Sequence, residues 1–405
     1  MAERYPGGVI SKTPPVITGP TGGEGGSASG VWTLDTVLEY EKAGAWPKPI
    51  LPRELYTWGL NASGQLGDNT VNRRSSPVQI GSLEDWSQVS FGNQTAVSIK
   101  TNGTLWAWGA SDEGQIGNNG IANLSSPVQI GSLTNWRQVS NNGGLHTAAV
   151  KTDNTLWTWG RNASGQLGQN TYILVGRSSP VQVGALTNWQ QVSAGAYNTA
   201  AITTDNKLYS WGRSQDFGSV GDNTIIDRSS PVQIGSLTNW SYVSCGDRWT
   251  LSLKTNGTIW AWGMNNIGQI GDGTVITRSS PVQIGALTNW ASVSAGAGHA
   301  VSIKIDSTLW SWGNNYSGRL GDGTTVNRSS PVQIGLLSDW SNVRAGGSTS
   351  GAIKTNGTLW IWGSNSFGQF GDNTTINKSS PVQIGALTTW FQFAVGASTI
   401  AITKG

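Results

Sequence analysis

Between Trp86 and Ile130 the chain lays out four short apolar segments, QVSFG, TAVSIK, TLWAWG and SPVQI, separated by Gly, Asn, Ser and Thr. In the second segment Val97 and Ile99 alternate with Ala96 and Ser98. In the third, Trp106 and Trp108 share one face while Leu105 and Ala107 share the other. A period of two serves a strand and not a helix, and Val, Ile and Trp favour a pleated surface, so four strands are predicted. Asn102–Gly103 between the second and third segments reads as a two-residue hairpin turn in which both residues take positive φ. Ser-Ser-Pro precedes the last segment, and Pro127 is expected at the start of its strand, where a missing N–H breaks no ladder.

The pattern then repeats. An aromatic pair ending in Trp-Gly recurs at Tyr56–Gly59, Trp106–Gly109, Trp157–Gly160, Tyr209–Gly212, Trp260–Gly263, Trp310–Gly313 and Trp360–Gly363, at spacings of 50, 51, 52, 51, 50 and 50 residues. No helical period lies between copies, so sheets apolar on both faces have only one another for cover. The expected fold is all-β: a seven-bladed β-propeller with four antiparallel strands per blade. Trp390 is followed by only two strands, whereas ELYTWG opens the repeats on a third strand. The closing blade is therefore expected to combine residues 390–405 with residues 54–81. Residues 1–53 are read as an extended Gly/Pro-rich arm with a short helix near 34–43, and residues 54–405 as the propeller. Strand parity places long loops such as NASGQLGDNTVNRR on one face, with GSLTNW loops and both ends of the ring on the other.

Composition narrows the chemistry. Charged residues are 12% of the chain, against 56 glycines and 22 tryptophans, which implies many turns and many buried rings. The 25 basic and 22 acidic residues give a net charge of +3 without basic runs, so nucleic acid is not an expected partner. No stretch approaches a membrane span, and the first residues lack the apolar core of a secretory signal. Cys245 stands alone and is read as a small buried hydrophobe. His146 and His299 fall at equivalent places in separate copies without neighbouring ligands, which suits polar strand ends better than a metal site. Asp68, Asp222, Asp272, Asp322 and Asp372 recur once per copy and are read as turn formers, not calcium ligands. No catalytic residue, metal site or cofactor is nominated, and the chain is read as a non-enzyme.

The sequence N-x-x-G-Q-L-G-x-x-T at Asn61–Thr70, then Pro-Val and V-S-x-G, resembles the repeat of the regulator of chromosome condensation family over residues 55–405. That resemblance implies a seven-bladed propeller with split-blade closure. It implies no single activity, because the family includes a guanine-nucleotide exchange factor, ubiquitin-ligase modules and a secreted β-lactamase inhibitor. The chain departs from the exchange-factor pattern: Cys245–Gly246 leads to Trp249 where the family often has His, and no basic N-terminal arm is present.

The segment GVWTLDTVLEYEKAGAWP, Gly30–Pro47, resembles a short element at the start of structural proteins of tailed bacteriophages. Thr33 is suited to cap a helix there, with Trp32 outside it and Gly44 as its stop. This resemblance implies a phage virion protein, a head decoration or tail-fibre module located in the virion. The arm would dock on other virion proteins through Trp32, Leu34, Val37, Leu38 and Trp46, and the ring would face a host-surface glycan or protein. Two uneven loops supply contact candidates: Tyr172, Ile173 and Leu174 in the insertion at 169–177, and Phe217 in the altered loop 214–220. The alternative reading is a free protein- or glycan-binding propeller or inhibitor, with guanine-nucleotide exchange ranked below it.

Overall fold

Every Trp-Gly dipeptide lies at the end of a blade's third strand, save in blade 2 where that strand runs on to Asn162, and the glycine is there for a backbone reason. Gly59, Gly109, Gly160, Gly212, Gly263, Gly313 and Gly363 have φ between 97° and 108°, and a Cβ on any of them would meet its neighbours within 2.3–2.7 Å. Only glycine tolerates that conformation and approach. The computed structural model describes residues 53–82, 85–92, 94–143 and 145–404, with Arg4–Tyr5, Gly8–Val9, Gly23–Glu24, Asp35, Leu38–Glu39 and Pro47–Lys48. It forms two units, Met1–Pro52 with Gly405, and Arg53–Lys404. In the first, Arg4–Tyr5 pairs antiparallel with Gly8–Val9, and Gly23–Glu24 parallel with Pro47–Lys48. Asp35, Leu38 and Glu39 are helical, and the rest of the expected 34–43 helix lies outside the described residues.

The second unit is a seven-bladed propeller of four-stranded antiparallel sheets. Blades 1 to 6 open at Trp86, Trp136, Trp189, Trp240, Trp290 and Trp340. Blade 7 joins Trp390–Val395 and Ser398–Thr403 to Leu55–Gly59 and Arg74–Gln79, in the register Ile402↔Leu55 to Ser398↔Gly59. First strands line a central channel and fourth strands lie outermost. There is no single core. Seven apolar clusters each pack the second and third strands of one blade against the first strand of the next.

A cycle of indole hydrogen bonds joins the blades. The second Trp of each pair donates Nε1–H to a loop carbonyl of the preceding blade, from Trp108 to Gln65 through Trp362 to Arg319, and Trp58 to Gln369 completes the ring, all at 2.8–3.0 Å. The adjacent loop glycine permits the overlap: a Cβ on Gly67 would sit 2.7 Å from Trp108 Nε1.

Two local expectations are corrected. The turn after the second strand is not a two-residue turn with paired positive φ. Gly103 alone takes positive φ, at 76°, and donates to the Lys100 carbonyl at 2.9 Å, which is a type I turn followed by a left-handed residue. Asn154, Asn206 and Ser307 occupy that same place at 59–61°, while Asn102 instead accepts the Thr104 N–H at 3.1 Å. Pro127 lies inside its strand, Leu124–Gln129, where the ladder shifts between Leu124↔Gly109 and Val128↔Ala107. An irregularity on an outermost strand has no pairing N–H to lose, so proline fits within it.

Candidate functional site

The first strands run toward the long-loop face and deliver their turns to the channel mouth there. At the last residue of these turns and at the residue after the neighbouring third-strand glycine, most blades carry small, amide or aliphatic residues, such as Gln94 and Ala110 in blade 1 or Ser348 and Ser364 in blade 6. Blades 2 to 4 break the rule with Arg161, Tyr197, Arg213 and Arg248. Arg213 donates its backbone N–H to the Tyr197 carbonyl at 2.9 Å, which sets the two side by side.

Three guanidiniums surround the Tyr197 ring, with the Cζ atoms of Arg248, Arg213 and Arg161 5.0, 5.6 and 6.0 Å from its centroid. Arg248 also stands 5.6 Å from the Phe217 ring centroid. Each guanidinium has a carboxylate at arm's length: Glu113 at 3.9 Å from Arg161, Asp216 at 3.7 Å from Arg213 and Asp247 at 3.7 Å from Arg248. These distances exceed hydrogen-bond length. Asp247 Oδ1 and Arg248 Nε are both buried without a hydrogen-bond partner. Burial pushes the Asp247 carboxyl above its usual range although Arg248 and Arg213 pull it down. Arg248 also holds φ at 62°, a left-handed conformation uncommon for a non-glycine residue. The site thus joins a strained backbone, an unsatisfied charged pair and an aromatic ring at one mouth.

Of the residues expected at contacts, Phe217 enters this cluster. Tyr172 is 55% exposed and donates its hydroxyl to the Asp227 carbonyl at 3.0 Å, bridging to the next blade's long loop. The insertion lengthens blade 2's outer strand to Ile173–Gln182, with Ile173 paired to Asn162, and the side chains of Ile173 and Leu174 lie outside the description. Trp32, Leu34, Val37 and Trp46 lie outside the described residues, and Leu38 is 46% exposed. Sequence reasoning missed Arg161, Tyr197, Arg213 and Arg248. Their signal was departure from the repeat at aligned positions, where insertions had drawn attention instead.

Elsewhere the polar groups are structural. Asp68, Asp222, Asp272 and Asp322 accept from a Thr two residues on and pair with Arg74, Arg228, Arg278 and Arg328 at 2.6–2.8 Å. His146 Nε2 meets Thr199 Oγ1 at 2.8 Å and His299 Nε2 meets Ser350 Oγ at 2.7 Å, both across blade boundaries. Cys245 is buried, which pushes its thiol up to about 12. Among the described residues no group of three His, Cys, Asp or Glu could hold a metal, and no helix is long and apolar enough to cross a membrane.

Residues 138–405 match the RCC1-like domain, and residues 54–99 and 102–150 match the regulator of chromosome condensation (RCC1) repeat. The chain belongs to the RCC1-like domain family. Among its RCC1-like relatives, the ultraviolet-B receptor UVR8 of Arabidopsis thaliana is 30% identical over 218 residues, 52% of this chain and 49% of the receptor. The E3 ubiquitin-protein ligase HERC2 of Homo sapiens is 28% identical over 218 residues, 52% of this chain and 4% of the ligase. The chain therefore spans half or less of the length of these two relatives. Human WBSCR16 superposes with a TM-score of 0.78 at 19% identity, covering 87% of this chain and 99% of that one. Prp20p of Saccharomyces cerevisiae gives 0.77 at 17% identity, covering 87% and 92%. These two structures show the fold alone.

The RCC1-like relatives correct the expectation of a phage virion protein. They are cellular proteins of plants and animals, and the family matches begin at residue 54. A virion location, docking on virion proteins through the arm and contact with a host-surface glycan or protein are accordingly withdrawn. An 18-residue resemblance at Gly30–Pro47 constrains far less than seven ordered repeats.

Proposed function

We propose that this chain is a non-catalytic recognition propeller that binds a partner protein through its long-loop face, centred on Tyr197, Arg161, Arg213, Arg248 and Phe217. The observation that carries this reading is the unsatisfied Arg248–Asp247 pair beside a Tyr ringed by arginines. Buried polar atoms without partners cost about 1–3 kcal/mol each, and a partner that supplies hydrogen bonds there recovers that cost. Tyr and Arg are also the residue types that dominate binding energy at protein interfaces.

A photo-crosslinking amino acid at exposed Gln215, beside the cluster, is compared with one at Leu237, on a loop of the opposite face. In native cell extract the Gln215 probe is expected to capture one dominant protein, with yield falling about tenfold when Arg213→Ala and Arg248→Ala are combined. Equal capture from Leu237, or an unchanged yield in the double variant, would sink the proposal.

A further inference from the structure

Inside the channel the first strands of blades 1 to 5 place a buried serine at one level: Ser90, Ser140, Ser193, Ser244 and Ser294. Each hydroxyl accepts a backbone N–H of the next blade, at Asn141, Ala194, Cys245, Ala295 and Ala345, over 2.9–3.0 Å. A lone pair is thereby engaged in every case, and the hydroxyl hydrogen is left to donate. Ser90 turns toward Asn142 Oδ1 at 3.3 Å, while the other four have no protein acceptor among the described residues.

The sixth place in this ring is Arg344 and the seventh Ala394. Arg344 Nη1 donates to Asn342 Oδ1 at 3.0 Å and to the Val343 carbonyl at 2.9 Å, which fixes the plane of the guanidinium. Nε and Nη2 make no hydrogen bond or ion pair among the described residues. With Ala345, Gly346, Ala394 and Gly396, Arg344 lines a cavity of 430 Å³. Asp247 is the one carboxylate among the residues lining that cavity, and it belongs to the mouth, two blades away from Arg344.

We infer that the channel is a receptor for a phosphate group, free or carried on a small molecule, gripped by the open edge of Arg344 and by serine hydroxyls. A guanidinium fork suits a phosphate in two parallel bonds, and donors from several sides suit a tetrahedral ion better than a planar carboxylate. The inference is independent of the partner proposed for the rim.

Isothermal titration calorimetry on the full chain tests it, with inorganic phosphate, glucose 6-phosphate and acetate as probes. Phosphate and the sugar phosphate are expected to bind and acetate not to, and whichever of the two binds tighter identifies the source. Arg344→Ser restores the residue of blades 1 to 5 and offers Val395 the missing acceptor, so the ring stays folded. It is expected to weaken both ligands at least about tenfold. Ser294→Ala, in the blade next to Arg344, keeps the arginine and is expected to weaken them about threefold. Absence of binding to the native chain, equal binding of acetate, or unchanged affinity in Arg344→Ser would overturn the assignment.

Discussion

A neutral imidazole is what His146 and His299 contribute to the ring. Burial lowers His146 to about 3, and burial aided by Arg319 holds His299 well below its ordinary value. An unfolded histidine titrates near about 6.5, so between that pH and the folded value the unfolded chain binds more protons. The stabilisation is complete above about pH 6.5 and is lost as pH falls, at about 1.4 kcal/mol per unit for each residue. The turn aspartates act in a lower window: burial pushes Asp68 and Asp272 up, but hydrogen bonds from Thr70 and Arg74, or Thr274 and Arg278, outweigh it and hold them below their usual value. Asn198 fills the same place in blade 3 and reaches Thr250 Oγ1 at 3.0 Å. The double variant His146→Asn/His299→Asn is therefore expected to fold and to show nearly flat stability from pH 6.5 to 4.5, where the native chain loses several kcal/mol. Urea unfolding at the two pH values checks this, and an unchanged slope in the variant would reject it. The polarity of this position was legible from Thr95, Asn198 and Thr349. Its partners were not, because a bond from 146 to 199 exists only once blades pack.

Within a blade, a bulge after the opening Trp brings that residue opposite the last residue of the second strand, as in Trp240↔Lys254. The Lys254 ammonium then lies 4.5 Å from the Trp240 ring centroid and 3.6 Å from that of Trp260, and burial lowers its pKa. Lys100, Lys151, Lys304 and Lys354 repeat the arrangement. Blades 3 and 7 have Thr203 and Thr403 instead, and there the third-strand aromatic is Tyr209 or Tyr56 in place of Trp. Lysine thus travels with tryptophan and threonine with tyrosine, which points to cation–π attraction as the reason for the pairing. In a cycle of Lys254→Thr, Trp260→Tyr and both together, each single change is expected to cost about 1–2 kcal/mol, with the double less damaging than their sum by about 1 kcal/mol. Strict additivity in thermal or chemical unfolding would remove the cage as the explanation. This pairing stood in the sequence but was hidden from a period-two reading, since the bulge displaces the partners from regular register. Strand number and order needed no such detail, because the Trp-Gly repeat survives every local irregularity.

At the scale of the whole ring, continuity around the channel is uneven. Five successive boundaries, from blades 1 and 2 to blades 5 and 6, are latched by a serine hydroxyl that accepts the next blade's N–H. The two boundaries of the composite blade lack the latch, since Arg344 precedes it and Ala394 belongs to it. They flank the blade in which the ring closes, where Ser398–Thr403 must find Leu55–Gly59 from the other end of the repeats. Closure itself was legible from the fragment at each end of the repeats, whereas the missing latches became visible only when aligned residues were placed in neighbouring blades. Phe91 pairs with Ala96 as Ala194 pairs with Thr199, and Ala194 is the residue whose N–H reaches a latch serine. The Phe91 N–H is thus aimed at the place where a hydroxyl on residue 394 would lie. Ala394→Ser is accordingly expected to stabilise the ring by about 0.5–1.5 kcal/mol, the net worth of one hydrogen bond, and to slow its unfolding. The same substitution at a boundary already latched has no N–H to capture. Ala295→Ser, one residue beyond the latch in blade 5, is the matched control, expected to gain nothing in the same denaturant series. A stabilisation shared by both variants would show that an added hydroxyl, and not the seam, accounts for it.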